Sequence, residues 1–313
     1  MHRFSTKAVV EGALLSAITI ILSLFSMYVP ALGIFLDLVL PVPVIILGMR
    51  QGLRITVLSV LVTGLVTAMF SGPLKALAVM LGFGLIGIGM GWALRKNYPP
   101  FRVFGVGAVA SLASNVALFL ISLMIMGINP FLQEIAAYKE GLSAAADLYN
   151  RMGVDPETVK TVVGMYEKML DLMPLLIPAI LVLASITSAF LSYQISRVVL
   201  RRLGYKIEDF PPFWQWRLPV FTVFLLLLGQ LAVLLEAYWP VGILKQLGLN
   251  LQMIFTFAFF VQGLSILSFY LGRYNVAKPV RALIVLFVFT NPFFAQLIFL
   301  AGMVDTVFNF RGL

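Results

Sequence analysis

Residues 103–127 read VFGVGAVASLASNVALFLISLMIMG, 25 consecutive positions without a charged side chain. As a helix rising about 1.5 Å per residue, this stretch is about 37 Å long. That exceeds the roughly 30 Å hydrocarbon thickness of a bilayer. It lacks the alternation of apolar and polar residues that a barrel strand would carry. In lipid every backbone N–H and C=O must bond internally, so the segment is expected to be a transmembrane helix.

Eight further stretches read the same way. They run roughly over 8–28, 33–49, 55–70, 74–94, 173–200, 218–237, 251–271 and 280–304. The expected fold class is therefore all-α, a polytopic transmembrane helix bundle of about nine spans, with eight possible. Composition agrees. Of 313 residues, 61% are hydrophobic and 11% are charged, and the mean hydropathy is +1.02. A soluble domain carries about 25% charged residues. Asn291-Pro292 falls inside the last stretch, and proline removes a helix donor, so that stretch should be kinked or split into two half-helices.

The net charge of +9 would suggest nucleic acid in a soluble protein, but here the bases cluster in short connections. With the N-terminus in the cytoplasm, 15 of the 22 Lys and Arg fall inside. The basic balance is thus an orientation signal, and no nucleic-acid partner is expected. The first stretch reads as an uncleaved signal anchor. Nine spans place the C-terminus outside, and eight return it to the cytoplasm. Two connections are long. Residues 128–172 carry apolar residues at helical spacing (Leu132, Ile135, Leu142, Ala145, Tyr149), and Asp155-Pro156 opens a second helix. Two amphipathic outer helices are expected there, lying on the membrane or capping the bundle. Residues 201–217 are a cytoplasmic linker rich in aromatic and basic side chains. The expected organisation is a six-helix bundle over 1–200, that linker, and three additional transmembrane helices over 218–313.

Function is less strongly encoded. There is no cysteine, and the one histidine, His2, reads as a solvated terminal residue. Thiolate chemistry, Ser-His catalysis and a Cys or His metal site are excluded, and no metal or cofactor is expected. No phosphate-binding G-x-x-x-x-G-K-[ST] loop occurs, so the chain does not hydrolyse nucleotide itself. No transmembrane acid or histidine relay is present. The chain is not expected to be an enzyme. Ionisable residues within spans usually face a cavity or a partner. Asp37, in the outer part of the second span, and Lys75, at the outer start of the fourth, share a depth and have opposite charge. Asn115 lies within the fifth span. Each has two readings, helix-to-helix bonding or ligand contact at the outer mouth of the bundle. Small-residue stripes (Gly12, Ala13, Ser16, Ala17; Gly84, Gly87, Gly91) allow close helix approach. In the fourth span this implies internal packing. In the first, a partner interface competes with it.

Two resemblances bear on this. The opening segment Thr6–Ile18 resembles the first helix of substrate-binding (S) components of energy-coupling-factor transporters, and Ala13-x-x-x-Ala17 matches the motif by which that helix meets a transmembrane coupling protein. The whole chain resembles the YybS-like family of uncharacterised bacterial membrane proteins. The segment Gly302–Arg311 is similar to that family's closing Gly-x-x-Asp…Phe-Arg pattern. The resemblances imply a small-solute binding and uptake component in a bacterial cell membrane. Asp37, Lys75 and Asn115 are its candidate ligand residues, Ala13 and Ala17 its partner face. Energy would come from separate ATPase subunits. The alternative is a scaffold or regulatory membrane protein that transports nothing.

Overall fold

In the computed structural model, residues 5–312 are described; His2 lies outside them. Every element among them is helical: α1 Thr6–Tyr28, α2 Pro30–Val39, α3 Pro41–Gln51, α4 Leu53–Ser71, α5 Pro73–Val79, a π-helical turn Met80–Gly84, α6 Leu85–Arg95, α7 Pro100–Met126, α8 Pro130–Arg151, α9 Pro156–Arg202, a 3-10 turn Phe213–Gln215, α10 Phe221–Glu236, α11 Gly242–Arg273, α12 Lys278–Thr290 and α13 Pro292–Phe308. Among the described residues, six spans are long and apolar enough to cross a membrane: α1, α4, α5 joined to α6, α7, α9 and α11. The other three expected stretches are helical but modified. The second is divided at Leu40 into α2 and α3, α10 has only 16 residues, and α12 and α13 meet at 102°.

Two compact units divide the chain, residues 1–134 with 181–209, and residues 135–180 with 210–313. In the first, α3 is the central helix. Its residues from Pro41 to Gly48 are all buried, as suits a helix apolar on every side. The glycine stripe of α6 lies against it, with Gly91 meeting Gly48 so closely that a Cβ there would sit 2.8 Å from the Gly48 Cα. The expected internal packing of that stripe is what the structure has. Along α1, Gly12, Ser16, Thr19 and Ser23 are buried, and Ser16 shares a short hydrogen bond with Ser59 of α4. Ala13 and Ala17, on the other face, are exposed.

One end of this unit gathers its bases. Arg50 pairs with Glu11 at 2.7 Å and lies over the Tyr205 ring, and Arg95 donates to the Arg50 carbonyl. Beyond α9, Asp209 pairs with Arg197 and Arg201. The Arg201 hydrogen bond holds the Asp209 carboxyl below the usual carboxylate range.

In the second unit, α8 and the start of α9 form a hairpin bridged by Lys139 and Asp171 at 2.7 Å. Asp155 caps α9, accepting from the Thr158 amide and hydroxyl, which hold its carboxyl below the usual range. The sequence reading separated an outer amphipathic helix from a span beginning near Met173. The structure joins them into one helix of 47 residues, about 70 Å long. Pro174 and Pro178 lie inside it. That length exceeds twice the bilayer core, so the charged first third of α9 cannot lie in hydrocarbon. The hairpin residues 135–180 group with 210–313 in this unit. The tie is Asn250 of α11, whose amide donates to the Leu175 carbonyl at 2.7 Å and accepts from the Ala179 N–H at 2.6 Å.

The last helices bear on the choice between nine and eight spans that the sequence leaves open. Nine spans put the C-terminal residues and segment 201–217 on opposite sides of the membrane. Instead, Arg311 donates to the Trp214 and Trp216 carbonyls at 2.5 and 2.8 Å. The cause is the Asn291-Pro292 break. Asn291 leaves the helical region and caps α13 by accepting from the Phe293 N–H at 3.0 Å. The chain then turns through 102° and brings α13 back along α11, where Gly302 approaches the Phe259 carbonyl too closely for any Cβ.

Candidate functional site

The first unit contains a cavity of ≈ 570 Å³ near the C-terminal end of α1. Four helices supply its polar lining. Ser23 and Ser26 come from α1, Asp37 from α2, Ser111 and Asn115 from α7, and Ser188 from α9. The apolar walls are Leu38, Leu40, Val79, Phe83, Ile86 and Leu118. Local sequence explains each placement. The serines of α1 fall at helical spacing on the face that α4 begins to bury at Ser16. Leu40 is helical and buried, and Pro41 and Pro43 follow it, so α2 leaves the ladder there and sets Asp37 at the cavity edge. On the far wall the α5–α6 span widens into the π-helical turn Met80–Gly84, and Gly82 and Phe83 of that turn line the cavity. Single π turns inside helices recur at functional sites.

Asp37 accepts from the Ser26 hydroxyl at 2.5 Å. Its carboxylate has no cationic partner among the described residues. Asn115 donates to the Ser185 hydroxyl at 2.9 Å, and Ser185 in turn donates to the Leu181 carbonyl. The Asn115 amide is thereby fixed in orientation at the cavity wall. A carboxylate, a carboxamide and four hydroxyls around an otherwise apolar volume can hold a small polar solute, with Asp37 the one formal charge.

Of the three candidate ligand residues, the structure brings together Asp37 and Asn115. Lys75 lies on α5, exposed and outside the cavity lining, and makes no ion pair with Asp37. Equal depth on two helices does not give equal azimuth, and Lys75 faces away. The sequence missed the four serines because a hydroxyl in a transmembrane helix can always bond its own backbone carbonyl, as Ser114 does with Ala110. Their spacing along α1 (Ser16, Thr19, Ser23, Ser26) was the available signal. No cluster of three or more His, Cys, Asp or Glu that could hold a metal occurs among the described residues.

A second polar centre, in the 210–313 unit, is built from Asp305, Arg311, Gln262 and Ser265, all buried. Arg311 binds Asp305, Ser265 and the loop carbonyls, and Gln262 donates to Asp305 at 2.9 Å. It holds Arg311 to the 213–216 turn.

Fold and site together describe an all-helical integral membrane protein with a polar cavity inside a helix bundle. The chain belongs to the family described as predicted membrane protein (DUF2232), whose model matches residues 17–306. It is 28% identical over 310 residues to the uncharacterized protein YybS of Bacillus subtilis (strain 168), covering 98% of each chain. No solved structure matches it.

Proposed function

We propose that the protein binds a small polar solute in the Asp37–Asn115 cavity and serves as the binding component of an uptake system in a bacterial cell membrane. The observation that carries this reading is the convergence of the one intramembrane carboxylate of this region with Asn115 and four serines on a single cavity of ≈ 570 Å³. An uncompensated carboxylate at membrane depth is costly unless a ligand, water or partner meets it. The solute class that fits is small, with an amine or several hydrogen-bond donors for Asp37 and hydroxyl-bonding groups for the serines. The N-terminus and the basic end of the first unit are cytoplasmic in this reading, and the cavity opens outward. Ala13 and Ala17 form the face for a transmembrane coupling protein, with ATPase subunits behind it. Their exposure on α1, while Gly12 and Ser16 pack inward, supports that role.

The test is thermal stabilisation of the detergent-purified protein across a panel of vitamins, amines and nucleobases. A solute at about 100 times its Kd adds roughly 2.7 kcal/mol. Asp37→Asn should abolish the response and Lys75→Gln should keep it. A response that survives Asp37→Asn sinks the assignment. No response to any panel member favours the scaffold alternative.

A further inference from the structure

At the other end of α1 lies a second, open cavity of ≈ 810 Å³, formed where the start of α1, the α3–α4 turn and the end of α6 meet. Its charged lining is Arg54, Arg95 and Lys96, and no acidic side chain lines it. Arg54 and Lys96 are exposed and make no ion pair among the described residues; Arg95 donates only to the Arg50 carbonyl. The nearby acid, Glu11, is already engaged by Arg50 and Gln51. The first turn of α4 forms one wall and has no side-chain cap, so its positive end adds to the three bases. Trp92 lies at the rim, 37% exposed, as tryptophans do at headgroup depth.

Three unneutralised cations around one cavity attract an anion with several acceptor oxygens. We propose that this cavity binds a phosphate group, from either a phospholipid headgroup or a free phosphate. Basic pockets between transmembrane helices on the cytoplasmic side take lipid headgroups by the same electrostatics. The site is independent of the Asp37 cavity and shares no lining residue with it.

The experiment uses full-length protein in neutral detergent, with phosphatidylglycerol, phosphatidylcholine or inorganic phosphate added and thermal unfolding followed. Phosphatidylglycerol should raise the midpoint and phosphatidylcholine should not. Arg54→Gln/Lys96→Gln should shift the half-effective concentration about 25-fold, about fivefold per charge. Arg273→Gln/Lys278→Gln, bases outside the cavity, should respond as the wild type does. Lys96→Gln alone changes one exposed side chain and carries the same comparison at about fivefold. A response to inorganic phosphate with the same variant dependence, and none to phosphatidylglycerol, supports the site and identifies its ligand as the free anion. The proposal is overturned if neither anion shifts unfolding, or if the cavity variants respond as the wild type does.

Discussion

Arg311 and Asp305 are the clearest residue-scale commitment in the molecule, with neither side chain reached by solvent. Burying two ions costs several kcal/mol each, and attraction repays this only when the remaining donors are also satisfied. Here all five guanidinium N–H groups are used. Nε bonds Asp305, one terminal nitrogen bonds Trp214 and Ser265, and the other bonds Trp216 and Asp305. Arg311→Ala should therefore cost about 3–5 kcal/mol, because it leaves Asp305 buried and charged. The double variant Arg311→Ala/Asp305→Ala should cost clearly less than the sum of the single changes. Arg311→Lys should rescue little, since an ammonium has three donors and no fork. Thermal unfolding of the four proteins in one detergent checks this, and additive losses would show that the pair is not coupled. None of it was legible in the sequence. A basic residue beside the chain end reads as solvated, and its burial depends on a bend twenty residues earlier. Asp37 and Asn115 were legible because a carboxylate or carboxamide inside an apolar run is anomalous wherever the helix points.

Among the elements, α9 shows how tertiary contacts complete what local sequence leaves open. Two prolines should weaken the ladder around Pro178, yet the backbone stays helical from Pro156 to Arg202. Asn250 supplies the support. It bonds both the Leu175 carbonyl and the Ala179 amide, the two groups a regular helix joins directly, and also donates to its own helix at Gln246. Asn250→Leu keeps the size and removes all three bonds. It should destabilise the 210–313 unit by about 1–2 kcal/mol and speed amide exchange around residues 175–181. Unchanged exchange there would mean that α9 stays helical without Asn250. The helices in the apolar stretches were readable from hydropathy, because lipid leaves the backbone no other option, and α8 from its amphipathic spacing. Their continuity was not. Proline signals a break locally, and only a partner on another helix decides whether the break opens, as at Leu40 and Asn291, or is spanned, as at Pro178.

For the whole molecule, the open question is which elements share a side of the membrane, and the Arg311 contacts bear on it directly. Span counting from hydropathy treated 280–304 as one crossing, and so put the C-terminal residues opposite the 201–217 segment. The contacts of Arg311 with Trp214 and Trp216 place the two segments together, which fits an even span count. With the N-terminus in the cytoplasm, an even span count would divide the 22 bases 16 to 6, where the odd count divides them 15 to 7. The chain has no cysteine, so single introduced thiols report sidedness without background. Asn97→Cys lies in the basic turn after α6, Gly312→Cys follows Arg311, and Glu140→Cys is exposed on α8. In intact cells a membrane-impermeant maleimide should label Glu140→Cys alone. After permeabilisation it should label all three. Labelling of Gly312→Cys in intact cells would restore the odd span count and would require the Arg311 cluster to form only outside the native membrane. Labelling of both Asn97→Cys and Gly312→Cys in intact cells, with Glu140→Cys protected, would instead place the α8–α9 hairpin in the cytoplasm, reversing the orientation on which an outward-opening Asp37 cavity depends.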